Sequence, residues 1–479
     1  MLKPILLIVG VALIGLAVFI TIPAAFAWWY AEPTSNAFLT SAALVLASGL
    51  LLAYPNRAAR VTVLPKQTFV ITSVVWLATS AFGALPFVIY SDIDYADAVF
   101  ETMSGITTTG STVLVGLETL PHSVLLWRSL LQWLGGLGFM VMAIGILPFL
   151  GVGGMRLFRS ESSDWSEKAT PRTRSFAGYL ALVYLALSIA CALAYWVGGM
   201  TPFDAVNHAM TTVSTGGYST WDASFGHFNS RLLQWTAVVF MILGALPFVL
   251  YVRAVRRQAT GFLQDDQVRA FALLLIVASG ATAIWLIADH LFTPFTALTV
   301  ATFNVVSVVT TTGYASADYT LWGSFPVMMF FYLTFVGGCS GSTTGGMKIF
   351  RLQLALQVLR NQYLRLVHTR GVFRVEFNGR TVGEDVVRSL IGFSFAYFMT
   401  IGLLALGLSL FDLDLVTAFS ASATAVGNVG PGLGSVVGPA GNFAAIPDGA
   451  KWLLSLGMLA GRLEILTITV LFTRRFWYS

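Results

Sequence analysis

Asp97-Ala98-Val99-Phe100-Glu101-Thr102-Met103-Ser104-Gly105-Ile106-Thr107-Thr108-Thr109-Gly110 is a short, partly polar run between two long apolar stretches, and it recurs. Asp204-Ala205-Val206 opens a second copy that closes on Ser214-Thr215-Gly216-Gly217. A third closes on Thr310-Thr311-Thr312-Gly313 and a fourth on Gly427-Asn428-Val429-Gly430. Aligned on Gly110, Gly217, Gly313 and Gly430, all four carry an alanine twelve residues earlier: Ala98, Ala205, Ala301 and Ala418. Six residues before each glycine stands a hydroxyl side chain: Ser104, Thr211, Ser307 and Thr424. Taken singly, any of these runs also reads as a turn or a small-residue packing motif between helices. Four runs in phase at three offsets mark an internal repeat.

The stretches flanking the repeats are long enough to cross roughly 30 Å of hydrocarbon as helices. Ten are expected: Ile5 to Trp28, Phe38 to Tyr54, Phe69 to Tyr90, Leu125 to Leu150, Phe176 to Val197, Leu232 to Val252, Ala270 to Ala288, Phe325 to Phe350, Val386 to Phe411 and Trp452 to Phe472. The composition agrees. Of the 479 residues 56% are hydrophobic and 10% charged, against about 25% charged in a soluble domain. Met1 to Tyr30 lacks a small-residue cleavage site and is long enough to span, so no cleavable signal peptide is expected. Cys191 and Cys339 are the two cysteines, too few for a disulfide framework or a cysteine-rich metal site.

The first two spans stand outside the repeat. The expected fold is an all-α polytopic membrane protein: an N-terminal two-helix hairpin (1–60), then four pseudo-symmetric units of span, short pore helix, loop and span around a central pore. The units run 61–165, 166–262, 263–380 and 381–479, the third containing an intramembrane loop. With the N-terminus inside, Lys3, the Arg57 to Lys66 group, the Arg156 to Arg174 loop, the Arg253 to Arg269 loop, the Lys348 to Arg388 segment and Arg474 and Arg475 share that side. These are 23 of the 27 basic residues. Asp92, Asp94, Asp97, Asp289, Asp412 and Asp414 fall on the other. That distribution predicts two cytoplasmic termini, and it assigns the net charge of +5 to topology, with no nucleic-acid partner.

Non-helical backbone at membrane depth is tolerated where it is buried in protein or lines a wet cavity. Four extended segments facing one axis can turn their carbonyls inward and replace the water shell of a cation, as threonine- and glycine-containing potassium filters do. The helix before each segment would aim its carbonyl end at the same place, where its dipole favours a cation. The candidate cation ligands are Thr107, Thr108, Thr109 and Gly110; Ser214, Thr215, Gly216 and Gly217; Thr310, Thr311, Thr312 and Gly313; and Gly427, Asn428, Val429 and Gly430.

Within the eighth span, Gly337-Gly338-Cys339-Ser340-Gly341-Ser342-Thr343-Thr344-Gly345-Gly346 has little helix propensity and should break the helix near mid-membrane. It is no phosphate-binding loop, since Gly346-Met347-Lys348 lacks the Gly-Lys-Ser/Thr succession. It reads either as packing glycine or as a loop across the ion path. Arg462 lies ten residues into the last span, where a charge needs a cavity or a partner. It reads as a structural ion-pair partner or as an electrostatic barrier that holds the loop closed. Glu464, two residues on, faces elsewhere and needs its own partner. Arg128 and Arg231 read as struts or interfacial anchors. Glu101 and His208, on the short helices, are expected to hydrogen-bond within the protein, and His290 and His368 to be solvated.

The fourfold filter repeat, the Gly337 to Lys348 stretch and Gly461-Arg462-Leu463-Glu464 together resemble the TrkH/KtrB/HKT superfamily of potassium-uptake proteins, over nearly the whole chain. The extra N-terminal hairpin favours the TrkH/TrkG branch. The resemblance implies potassium selectivity, because all four filter glycines are present; Gly427-Asn428-Val429 departs from the threonine pattern. It implies a gating role for the eighth-span loop and Arg462, a homodimer in the bacterial inner (plasma) membrane, and a cytoplasmic ring of TrkA-like nucleotide-binding regulatory subunits docking near Arg351 to Arg388. Potassium is then the transported substrate, with no organic cofactor on this chain, and membrane potential drives the flux. A potassium/proton symporter on the same scaffold is the alternative; no buried carboxylate chain stands out as a proton relay. The potassium-translocating subunit of a pumping ATPase has a longer chain and Asn-rich filter segments. An enzyme would require a convergent nucleophile, base or metal set that these residues do not supply.

Overall fold

A computed structural model describes residues 2–59, 65–91, 93–145, 171–255 and 261–478. The expected Asp92, the end of the fourth span at 146–150 and the basic loop from Arg156 to residue 170 lie outside the described residues. Among the described residues seven helices are long and apolar enough to cross a membrane: Leu2–Trp29, Ser35–Asn56, Lys66–Ser91, His122–Met142, Ala177–Val197, Asp266–Ala288 and Glu384–Ser409. Their outward faces are apolar. Leu273, Ile276, Val277 and Ile284 all stay largely exposed on Asp266–Ala288, as a lipid-facing helix requires.

Three expected spans depart from straight helices. The sixth bends by 90° between Arg231–Ala245 and Phe248–Ala254. Pro247 cannot donate a backbone hydrogen bond, and the preceding Leu246 is pushed into extended geometry at ψ 156°. The eighth is helical only over the eleven residues Ser324–Thr334, and helix resumes at Ile349–Val367. The interruption is wider than the glycine run that predicts it, starting at Phe335 and ending at Lys348. The tenth bends by 106° between Asp448–Arg462 and Leu466–Phe472. Arg462 is therefore the last residue of the helix before this break.

Four short helices precede the four glycines: Tyr95–Ile106, Pro202–Val213, Pro294–Val309 and Leu415–Gly427. Each starts behind an Asp or Thr. The Thr201 side chain accepts from Asp204 N, and Asp414 accepts from Val416 N and Thr417 N, which fixes where those helices begin. The N-terminal hairpin crosses tightly at Gly10 and Gly49; a Cβ on Gly10 would lie 2.7 Å from Gly49 O. It is tied to the first repeat where Glu32 accepts from His122 N and Ser123 N at the start of the fourth span, a carboxylate on the positive end of a helix. Among the described residues one small β-hairpin interrupts the helical fold, pairing Glu376–Phe377 with Arg380–Thr381. Its turn is Asn378-Gly379, both at positive φ as a two-residue hairpin turn demands.

Candidate functional site

The four repeated segments meet in a closed ring. A Cβ built on Gly110 would collide with Gly216 O, one on Gly217 with Thr312 O, and one on Gly313 with Val429 O; one on Gly430 would lie 2.9 Å from Thr109 O. The order runs one, two, three, four and back to one, so each glycine is the gap into which the next segment's carbonyl fits. All four glycines have positive φ, between 78° and 111°. A side chain there would be strained as well as obstructed.

The backbone repeats more faithfully than the sequence does. Two residues before each glycine, Thr108, Thr215, Thr311 and Asn428 have φ of 53°, 53°, 54° and 53°. A β-branched residue in that region stores roughly 1–3 kcal/mol and persists only where its surroundings impose it. Three threonines share this geometry, so the local strain is a property of the ring and not of one loop. The hydroxyls help to hold it. Thr107 donates to Met103 O and sits 2.8 Å from Thr109 Oγ1, and Thr310 and Thr312 repeat that pair at 2.8 Å.

Segment carbonyls are left for another ligand. Among the described residues hydrogen bonds reach those of Ser214, Gly216 and Gly430, from Thr215, Gln132 and Ser111 respectively. The carbonyls of Thr108, Thr109, Gly110, Thr311, Thr312 and Gly313 receive none there. Buried backbone carbonyls without donors are rare in folded proteins. Here they gather at the carbonyl ends of Tyr95–Ile106 and Pro294–Val309, whose dipoles favour a dehydrated cation. On one face of the ring, all four glycines line a cavity of about 200 Å³ together with Ser111, Tyr218, Asp222 and Pro431.

Side chains behind the ring bolt its seams. Gln132 donates to Gly216 O and accepts from Tyr218 N, joining repeats one and two. The Tyr314 hydroxyl reaches Thr212 Oγ1 at 3.2 Å across the seam between two and three. Asn428 donates to Thr109 Oγ1, and Ser111 to Gly430 O, closing four onto one. Arg128 and Glu101 form a fully buried pair at 2.8 Å, with the guanidinium 4.1 Å from the Tyr218 ring centroid and donating to Ser219 O. Both residues serve the scaffold, as does His208, bonded to Asp204 O and Ser219 Oγ. Arg231 is exposed and bonds Thr296, while His290 and His368 are exposed.

The other face of the ring is covered by residues 335–348. Thr343 donates to Val213 O, Thr215 donates to Thr343 Oγ1, and Gly345 N donates to Thr311 Oγ1. The loop is pinned beneath by the bent sixth span, where Cys339 N and Thr343 N donate to Ala245 O and Gly244 O. It folds on itself through Gly337 N to Met347 O and Ile349 N to Gly338 O. Ser340 N donates to Gln267, Gly338 N to Thr344 Oγ1, and Ser342 meets Thr344 at 2.8 Å. Gly341 O accepts from Phe248 N.

Arg462 is fully buried and donates through Nη1 to Thr343 O at 2.9 Å; its Nε and Nη2 have no hydrogen-bond acceptor among the described residues. Its guanidinium lies 4.0 Å from the Phe139 centroid, and Lys348 lies 5.4 Å from the same ring. Lys348 donates to Thr344 O and Thr344 Oγ1. Glu464 takes its charge partner from the helix after the loop, Arg351, at 2.6 Å. Arg351 and Lys348 were not among the expected site residues. The sequence signal for them is a pair of basic residues directly after the Gly/Ser/Thr run.

A family model described as a cation transport protein, TrkH, matches residues 34–477. A potassium uptake protein TrkI of Halomonas elongata is 51% identical over 99% of this chain and 96% of its own length. The potassium uptake protein TrkH of Vibrio parahaemolyticus is 38% identical over 100% of this chain and 99% of its own. The crystal structure of the potassium transporter TrkH from that organism superimposes with a TM-score of 0.92 at 36% identity, covering 100% of both chains. Ring, interrupted span and N-terminal hairpin thus lie within a full-length likeness, and the chain belongs to the TrkH family of cation transport proteins.

Proposed function

We propose that this protein takes up potassium through the ring of Gly110, Gly217, Gly313 and Gly430, with the 335–348 loop and Arg462 as its gate. The observation that carries this reading is the fourfold backbone: positive φ at each glycine and again two residues earlier, with carbonyls left without donors. The cavity over the glycines is the entry vestibule, so the helix ends behind it face outward, and both termini are cytoplasmic in the bacterial inner membrane. The loop lies directly beneath the ring and blocks the path while Arg462 holds it. Its positive charge is a barrier to a cation, and membrane potential supplies the driving force, about 2.3 kcal/mol per charge per 100 mV. The protein works as a homodimer. The helix Ile349–Val367 and the segment to Arg388 continue directly from the loop, so regulatory subunits binding nucleotide there can pull on the gate.

Rubidium uptake into liposomes holding the purified protein tests the reading. Flux should follow an imposed voltage without a proton gradient and should rise when the regulatory subunit and its nucleotide are added. Strict dependence on a proton gradient would favour symport and overturn the channel-like reading.

A further inference from the structure

The residues two before each glycine share one backbone geometry but not one set of side-chain partners. Thr311 Oγ1 accepts from Gly345 N at 2.8 Å, and Thr215 Oγ1 donates to Thr343 Oγ1 at 3.2 Å. Both partners belong to the loop. Their counterpart in repeat one, Thr108 Oγ1, is buried and has no hydrogen-bond partner among the described residues, and Asn428 Oδ1 is likewise unsatisfied. Gly345 presses on the fourth segment, where a Cβ would lie 2.8 Å from the Asn428 Cβ. The seam between repeats three and four differs in kind from the rest. Among the described residues no side chain of the two ring segments bonds across it: Gly313 meets Val429 and Pro431, and these repeats are joined instead through the loop and the helix after it, from Arg462 to Thr343 O, from Tyr397 to Phe335 O and between Arg351 and Glu464.

We propose that Thr311 and Thr215 couple the loop to the ring, so that the inner end of the filter gains oxygen ligands when the gate opens. While the loop is seated, those two hydroxyls are engaged with it. When it withdraws they join the unsatisfied Thr108 Oγ1 and Asn428 Oδ1 in one ring of four side-chain oxygens facing a monovalent cation. The seated loop also braces the unbolted seam, so its release loosens the ring between repeats three and four. This rests on the filter and gate reading above.

The loop's own Cys339, buried while the loop is seated as in this structure, reports on its release. The test uses the full-length protein with Cys191→Ala, in liposomes, labelled with a small cationic methanethiosulfonate. Thr311→Val removes the acceptor while keeping shape, and Cys339 should label roughly two- to tenfold faster, the range set by one hydrogen bond of ordinary net strength. Thr311→Ser should restore the starting rate. Thr108→Val removes the hydroxyl that makes no hydrogen bond to the loop among the described residues; it should shift the rubidium-to-sodium flux ratio and leave Cys339 labelling unchanged. Labelling of Thr311→Val at the starting rate, or equal acceleration by Thr108→Val, overturns the coupling. If instead neither valine variant alters the flux ratio, it is the filter reading that fails.

Discussion

The two faces of the ring obey different rules. Within the ring, from the glycines that line the vestibule to the residues two earlier, the four repeats agree in position and, at the earlier residue, in φ to within a few degrees. On the loop face the spans that follow have diverged. One runs straight over His122–Gly145, one bends by 90°, one dissolves into 335–348, and one turns by 106° after Arg462. A cation held by carbonyls from all sides needs equivalent oxygens, so any repeat that departs spoils the whole ring. A gate needs one movable piece and something different for it to rest against. In the proposed reading, symmetry is retained where the ligand is shared and lost where the parts have separate tasks.

The sharpest way to break this contrast is at a glycine. Gly217→Ala and Gly313→Ala each drive a Cβ into the backbone carbonyl of the next repeat, at Thr312 and Val429. A backbone atom cannot swing aside as a flexible side chain does. Both should abolish potassium-selective uptake in a protein that still inserts and folds, read as loss of growth at limiting potassium and loss of rubidium-over-sodium discrimination. Equal damage at the two sites is the signature of shared ligation; damage at one alone would mean that the ring is not functionally symmetric.

Behind the ring, Glu101→Gln leaves Arg128 buried without its charge partner. Breaking a buried pair on one side costs about 3–5 kcal/mol, so a large drop in thermal unfolding temperature in detergent is expected. Arg462→Ala acts on the other face. It removes a charge-assisted bond to Thr343 O, worth roughly 1.5–3 kcal/mol, and basal rubidium flux should rise by about tenfold or more with little change in selectivity. A mutant that folds and conducts no faster would demote Arg462 to a packing residue.

What could be read from the sequence follows the same division. The ring was legible because its glycines and hydroxyls recur in register. The strained position two residues earlier was not, since threonine carries no signal for positive φ; only Asn428 belongs to a residue type that tolerates it. Pro247 stood in plain view inside an apolar run, and Asn378-Gly379 is a hairpin turn by composition, yet length and hydropathy alone pass over both. The turn after Arg462 has neither Gly nor Pro. It is made by Glu464 at φ 60° and Ile465 at φ 21°, and it is held from outside by Arg351, a partner 113 residues away that no local pattern announces. The loop's position under the ring depends on contacts with three other repeats, so the glycine run predicts a break without saying what the break touches.

The smallest effect is expected at Pro247, and it asks what keeps the sixth span bent. Proline removes one donor, but the bend has a second cause. Ending a helix at Ala245 leaves the carbonyls of Gly244 and Ala245 without intrahelical donors, and the loop supplies them from Thr343 N and Cys339 N, while Phe248 N returns a bond to Gly341 O. The bend of repeat two and the break of repeat three therefore complete each other. Straightening the first would strip three backbone bonds from the second. Pro247→Ala should accordingly leave the bend in place, with stability altered by about 1 kcal/mol or less and basal flux changed by no more than roughly twofold. If flux instead rises as far as in Arg462→Ala, the proline and not the loop is what holds the span, and the gate can open without the sixth span giving way.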